Sequence, residues 1–305
     1  MINLCKISIG NDVLINKILN NFKNNSLSNS IIFSGPKGIG KATLAVHLVS
    51  KIFKSLNTNV ENSNLINLIY NNTHTNLRYI EKDYDIKTKK FKSNISINQI
   101  RGLEDFIHQS SFNNLPKIII LDSADDLNIS SANSLLKILE EPKNNTYIIL
   151  LTNQIFSILP TIRSRCINFK INSPNINQFT EILKLQQINY SVNDINFLFN
   201  ISNGSPGLAI KIYSDKLENI FYNIIDILIN KDSLSSQVID LANKVSIFSN
   251  DEFKIFIILL RFILINATKH NLGCKSSHND NLEYYNFIIN AANHLDNNIL
   301  IKIIE

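Results

Sequence analysis

Between residues 12 and 22 apolar side chains recur every three or four positions. Leu14, Ile15, Ile18, Leu19 and Phe22 fall on one side, which predicts an amphipathic helix with Asn11 at its N-cap. The polar stretch 24–29 gives way to residues 30–34, a short run that predicts a buried strand. Gly35 to Gly40 breaks the pattern, and residues 41–53 resume it as a helix. Residues 55–95 are rich in Asn and Lys, with one strand-like piece at 77–81. From Ser96, apolar residues at 97, 100, 103, 106 and 107 predict a second amphipathic helix. Residues 118–121 form a second fully apolar strand, 130–141 a helix stopped by Pro142, and 147–151 a third buried strand. Continuous apolar strands alternating with helices predict an α/β domain whose parallel sheet carries helices on both faces.

Beyond Ile171 the strand pattern stops. Short helices are predicted at 176–187, 192–202 and 207–214, and longer ones at 217–230, 236–248, 251–269 and 281–295. The expected organisation is a nucleotide-fold domain over 1–170, a small helical domain over 171–212, and an all-helical domain over 213–305. The last carries an apolar stripe (Phe256 to Leu260, Tyr284, Tyr285, Phe287 to Ile289) that serves either a self-contained bundle core or a contact with partner chains. No repeat recurs at periods of 20–50 residues.

The chain has 305 residues and a formal charge of +5, a mild bias that falls short of a nucleic-acid binder's footprint. One basic run, Lys87, Lys89, Lys90 and Lys92, reads as a solvated loop. Three cysteines without a CxxC pair point to a reducing compartment. The N-terminal residues lack a signal-peptide pattern, and the longest greasy segment, 255–265, is interrupted by Arg261 and half a membrane span in length. A soluble, cytoplasmic protein with no membrane contact is expected. Only five of the 30 basic residues are Arg, so any local pair of arginines carries information.

Gly35-Pro-Lys-Gly-Ile-Gly-Lys41 fits the first seven positions of G-x-x-x-x-G-K-[ST], between a predicted strand and a predicted helix. Glycines let successive N–H groups turn around an anion, the helix start adds partial positive charge, and Lys41 meets the outer phosphates. Gly35, Lys37, Gly38, Gly40 and Lys41 are therefore candidate nucleotide-binding residues. The eighth position is Ala42, so the hydroxyl that ligates magnesium is missing. Thr43 is rotated about 100° from that place and borders the α-phosphate at most. The second strand ends at Asp122, a candidate beside the phosphates, and Ser123 follows where a hydrolase would carry a Glu to activate water. Asp125 and Asp126, beyond the strand end, fit capping or solvent exposure better than that role.

Asp122-Ser-Ala-Asp-Asp-Leu-Asn, Ser131-Ala-Asn-Ser-Leu-Leu-Lys-Ile-Leu-Glu-Glu-Pro142 and Leu159-Pro-Thr-Ile-Arg-Ser-Arg-Cys166 together resemble the bacterial clamp-loader subunits of DNA polymerase III, most of all the delta-prime type. The resemblance runs from Ile9 to about Ile210 and thins into a generic helical pattern afterwards. It implies an AAA+ P-loop domain, a helical lid and a helical collar, assembled with gamma/tau and delta subunits into a hetero-oligomeric ring. That ring uses ATP to place a sliding clamp on primed DNA. The resemblance further implies that Arg165, in Ser164-Arg165-Cys166, acts in trans as an arginine finger on ATP held by a neighbouring subunit. Thr152 and Asn153 take the sensor-1 place at the end of the third strand, where capping of the strand end is the alternative. Leu208 stands where hydrolysing relatives carry a sensor-2 Arg.

The scarcity of arginine supports the finger independently, because Arg163 and Arg165 lie two residues apart in a chain that otherwise uses Lys. An intramolecular ion pair with Glu140 or Glu141 is the alternative for both. Cys166 reads as a packing residue rather than a nucleophile. Residues 50–100 contain no Cys, so the zinc module of some delta-prime relatives is not expected, nor any other metal. The magnesium hydroxyl, the catalytic Glu and the sensor-2 Arg are missing together. The leading expectation is therefore a non-hydrolysing stator, not catalytic by itself, that holds ATP or ADP at most as a structural element. The alternatives are an active gamma/tau-like ATPase and, less well matched, an unrelated P-loop kinase.

Overall fold

The computed structural model describes residues 8–56, 62–88, 90–186, 192–214, 217–229, 234–273 and 283–293. Lys89, Cys5, Cys274 and the expected helix ends at Gln187, Asn230 and Leu295 lie outside these. The chain divides into two compact units, Met1–Pro174 and Asn175–Glu305.

The first unit contains helices α1 (Asp12–Lys23), α2 (Lys41–Leu56), α3 (Asn62–Tyr70), α4 (Ile97–His108), α5 (Ile129–Glu140) and α6 (Pro160–Arg163). Its strands are β1 (Ser30–Ser34), β2 (Leu77–Ile80), β3 (Tyr84–Asp85), β4 (Lys90–Phe91), β5 (Lys117–Asp122), β6 (Thr146–Thr152) and β7 (Ile167–Lys170). Five strands form one sheet in the order β2-β5-β6-β1-β7, with every neighbouring pair parallel. Because side chains alternate across a strand, Ile31, Phe33, Ile118, Ile120, Ile149 and Leu151 face one core with α1, α2 and α3. Ile32, Ile119, Leu121, Ile148 and Leu150 face the other with α4 and α5. Each such fully buried aliphatic side chain is worth about 2 kcal/mol, which is why the strands read as unbroken apolar runs. The expected α/β P-loop architecture is present. The helices after β1 and β5 pass to opposite faces, which opens a crevice at the carboxyl ends of the strands.

Local chemistry sets the helix starts. Ser96 closes a capping box with Gln99, the Ser96 backbone N–H donating to Gln99 Oε1 at 2.9 Å. Asn128 accepts from Ser131 N at 2.8 Å ahead of α5. Asn11 precedes α1 as expected but makes no side-chain cap bond. Five elements were not anticipated. Helix α3 lies in the Asn- and Lys-rich stretch, and β3 pairs with β4 antiparallel where a loop was expected. Tyr84 and Phe91 meet across that hairpin at 5.2 Å, too few residues to show a period. Helix α6 spans a single turn. Strand β7 is an edge strand that is largely exposed, so its sequence lacks the apolar run that marks buried strands.

The second unit is all helical: α7 (Ile176–Leu185), α8 (Val192–Ile201), α9 (Pro206–Ser214), α10 (Glu218–Ile229), α11 (Leu234–Ser246), α12 (Asn250–Asn271) and α13 (Glu283–Asn293). Residues on both sides of position 212 enter a single hydrophobic core. Phe197 packs edge-on against Phe221 at 4.8 Å and Tyr284 at 5.2 Å, and Asn200 Nδ2 donates to the Tyr284 hydroxyl at 2.6 Å. Ile255, Leu259, Ile263, Tyr284, Tyr285 and Ile288 are buried there, so much of the apolar stripe is this unit's own core.

Candidate functional site

The site lies at the carboxyl ends of β1, β5 and β6. Leaving β1, the chain passes Gly38 at φ 81° and Gly40 at φ 94°, a left-handed backbone that only glycine adopts cheaply. Gly35 is required for another reason. A Cβ there would collide with the Ile171 carbonyl oxygen beyond β7 and come within 2.8 Å of Ile39 Cδ1. Its N–H donates to Thr152 O at 3.2 Å, so the loop is moored to β6. Helix α2 begins at Lys41 with no acidic residue in its first turn, leaving its positive end unopposed.

Lys41 is 7% exposed. Its Nζ donates to the carbonyls of Gly35 and Pro36, each at 2.7 Å, and to Asn153 Oδ1 at 2.9 Å. Burial pulls its pKa from 10.5 down to about 8, with Asp122 and Asp125 opposing the shift. Lys37 sits on the exposed side of the loop, and Thr43 is half-buried on α2, one position past Ala42.

Asp122, at the end of β5, accepts a hydrogen bond from the Tyr79 hydroxyl at 2.5 Å. Burial raises the Asp122 pKa. Burial, followed by the Asp122 carboxylate beside it, raises that of Tyr79 far more, so the proton stays on the phenol. Ser123 Oγ donates to Asp125 Oδ2 at 2.6 Å.

Asp125 is the hub of the site. Its Oδ2 also accepts from Asn153 N at 2.6 Å and Asn153 Nδ2 at 3.1 Å. Its Oδ1 accepts from Thr152 Oγ1 at 2.7 Å, Ser157 Oγ at 2.5 Å and Gln154 N at 3.3 Å. Although burial pushes the other way, these donors together hold its pKa down from 3.8 to about 2. A carboxylate so weakly basic cannot serve as a general base near neutral pH; its work is to fix the end of β6. Asp126 pairs with Lys82 at 3.0 Å.

The structure thus gathers Gly35, Gly38, Gly40, Lys41, Asp122, Thr152 and Asn153 into one cleft. The two sensor-1 candidates also cap the strand end through Asp125. Tyr79 was not anticipated as a site residue. It lies on β2, and only the sheet order β2-β5 shows that a strand so distant in sequence flanks Asp122.

These residues fit the phosphates of a nucleotide and do not fit a magnesium ion beside them. The loop supplies positive-φ glycines, a lysine and a helix start. The metal side supplies Ala42 without a hydroxyl, an Asp122 carboxylate whose Oδ2 is bonded to Tyr79, and a Ser123 hydroxyl bonded to Asp125. Among the described residues, no group of three or more His, Cys, Asp or Glu side chains converges to hold a metal.

Arg165 lies away from this cluster, after α6. Its Nη2 pairs with Glu140 Oε1 at 2.7 Å and its Nη1 donates to Thr161 O at 2.9 Å, with 36% of the side chain exposed. The ion-pair alternative is therefore realised for Arg165. Arg163 stacks over Phe156 at 5.2 Å, and its Nε is buried without a hydrogen-bond partner. Cys166 packs against the core beneath α4 and α5, and burial pushes its thiol from 9.0 up to about 11, which leaves it a poor nucleophile. In the second unit, Leu208 packs against the helical core. No helix among the described residues is long and apolar enough to cross a membrane.

A family model described as "DNA polymerase III, delta subunit" matches residues 10–175. The chain is 28% identical over 301 residues to DNA polymerase III subunit gamma of Buchnera aphidicola subsp. Schizaphis graminum, a match covering 96% of this chain and 77% of that protein. It is 28% identical over 189 residues to DNA polymerase III subunit delta' of Pseudomonas aeruginosa, covering 61% of this chain and 56% of the relative. For subunit delta' of Bacillus subtilis the identity is 32% over 152 residues, covering 49% and 44%. The chain thus spans about half the length of these delta' relatives. Among solved structures, a gamma subunit-related protein from Thermotoga maritima aligns over 94% of this chain and 97% of its own at 17% identity and a TM-score of 0.41.

Proposed function

Because the chain belongs to the DNA polymerase III clamp-loader family, we propose that it is a non-hydrolysing, delta-prime-type subunit of that loader. In this reading it joins gamma/tau and delta subunits in a cytoplasmic ring that places a sliding clamp on primed DNA. Its own phosphate loop holds ATP or ADP without turnover, and Arg165 serves a neighbour's ATP. The observation that carries the reading is the state of the metal and water side of the cleft. Ala42 offers no ligand, Asp122 is bonded to Tyr79, and Ser123 and Asp125 are bonded to each other. Ser123 cannot act as a base, and Asp125 is held too weakly basic to activate water.

Arg165 suits the role in trans because its present partner is easily exchanged. A surface pair such as Arg165–Glu140 is worth about 0–1 kcal/mol, whereas a guanidinium meets a phosphate by paired, charge-assisted hydrogen bonds. An arginine finger contributes through the charge developing on the transferring phosphoryl group.

A second reading, an active gamma/tau-type ATPase, is favoured by the longer match to a gamma subunit. Reconstitution separates the two. Arg165→Ala mixed with wild-type partner subunits should assemble normally on size-exclusion chromatography and lose most DNA-stimulated ATP hydrolysis; unchanged hydrolysis would refute the finger assignment. Steady ATP hydrolysis by the isolated chain, abolished by Lys41→Ala, would establish the second reading instead.

A further inference from the structure

Tyr79 is built into its position. It lies on the edge strand β2, in parallel register with Ile120 of β5, two residues before Asp122. At that edge the Asn72 side chain replaces a neighbouring strand: Asn72 Oδ1 accepts from Tyr79 N at 3.2 Å and Nδ2 donates to Tyr79 O at 3.3 Å. The ring is 6% exposed and packs in the core that also holds α2. A phenol held at both backbone groups and by its ring has little freedom to leave Asp122, and the 2.5 Å bond occupies the carboxylate oxygen Oδ2. Ala42, the second residue of α2, offers no oxygen. A divalent cation seeks several oxygen ligands and surrenders its water reluctantly; here the buried Tyr79 phenol competes with it for Asp122 Oδ2.

We propose that Tyr79 stands in the place of the divalent cation beside Asp122, so that the phosphate loop takes a nucleoside diphosphate or triphosphate without metal. Phosphate charge is met by the loop N–H groups, the start of α2 and Lys41, which exchanges its bonds to Gly35 O, Pro36 O and Asn153 Oδ1 for the phosphate. Tyr79 is a positioning residue that acts through Asp122. The inference rests on the reading of the loop as a non-hydrolysing nucleotide holder.

Two measurements on the full chain test it. Anisotropy of N-methylanthraniloyl-ADP should give dissociation constants that agree within about twofold in magnesium and in EDTA. Weakening by about tenfold or more in EDTA would overturn the proposal, as would absence of binding in both buffers. The second measurement is manganese uptake in the presence of ADP, read by electron paramagnetic resonance. The wild type and Ala42→Thr should capture no manganese beyond that bound by ADP alone. The double variant Ala42→Thr with Tyr79→Phe should capture about one ion per chain. Capture by the wild type or by Ala42→Thr alone would show that Tyr79 excludes nothing, and a folded double variant that captures none would show the same. Tyr79→Phe keeps the buried ring, and circular dichroism checks its fold; should it not fold, the wild type and Ala42→Thr still decide. Manganese capture by a wild type that does not hydrolyse ATP overturns only this inference. Steady hydrolysis by the isolated chain overturns the stator reading.

Discussion

Asp125→Asn is the sharpest test of how the nucleotide end of the sheet is held. In the wild type, each carboxylate oxygen accepts three hydrogen bonds, six in all. An amide keeps one acceptor and turns the other into a donor, so three protein donors then face an N–H₂ group. Hydrogen bonds to a charged acceptor contribute about 1.5–3 kcal/mol each, but bonds sharing one acceptor are not additive and this cluster is partly wet, so a loss of about 2–4 kcal/mol is expected.

The charge-dependent share follows from the fall in pKa from 3.8 to about 2, worth at most about 2.4 kcal/mol and roughly 1–2 after solvent screening. Because the folded value is the lower one, this stability is complete above the unfolded pKa and is lost as pH falls through the folded one. The gap between wild type and Asp125→Asn should therefore be constant from neutral pH to about 5. Its charge-dependent part should shrink by about half near pH 3. Urea unfolding followed by circular dichroism at pH 7, 5, 4 and 3 measures it, with equal slopes required for comparison. Asp126→Asn is the control, since its surface pair with Lys82 should cost no more than about 1 kcal/mol. A gap below about 0.5 kcal/mol at pH 7, or one that does not change by pH 3, would refute the hub.

Two further outcomes follow from the same geometry. Gly35→Ala should destabilise the first unit by about 1–3 kcal/mol, because its methyl meets the Ile171 carbonyl oxygen, a backbone atom that cannot swing aside; thermal unfolding within about 1 °C of wild type would show that the loop yields. Ser96→Ala removes one half of the capping box on α4 and should cost about 1 kcal/mol in urea unfolding, whereas Ser164→Ala, an exposed hydroxyl that donates to Thr161 O and accepts a long bond from Arg165 Nη1, serves as the near-neutral comparison.

Tertiary structure changed the meaning of several residues that were readable one at a time. Asp125 and Asp126 are adjacent and chemically alike, yet one accepts six hydrogen bonds while the other makes a surface ion pair. Ser123 supplies one donor to Asp125 from nearby in sequence, but the other five come from Thr152, Asn153, Gln154 and Ser157, on β6 and the turn that follows it, which local sequence does not show. Arg165 was legible as a rare arginine in a recognisable block, and its pairing with Glu140 was one of two readings until α5 and the end of α6 were placed together.

Local pattern determined what depends on neighbours in sequence. The apolar runs at 118–121 and 147–151 specified buried parallel strands, the glycines at 35, 38 and 40 specified a loop that only glycine can trace, and Ala42, Ser123 and Leu208 marked the groups missing from a hydrolytic site. What depends on strand order could not be read that way. Tyr79 lies 43 positions from Asp122 in sequence and reaches it only because β2 pairs with β5. The edge strand β7, the short α3 and the β3–β4 hairpin lack a long enough periodic signal to be seen before the sheet exists. Periodicity reports which face of a segment is buried; only the assembled sheet decides which segments share that burial, and so which hydroxyl meets the carboxylate.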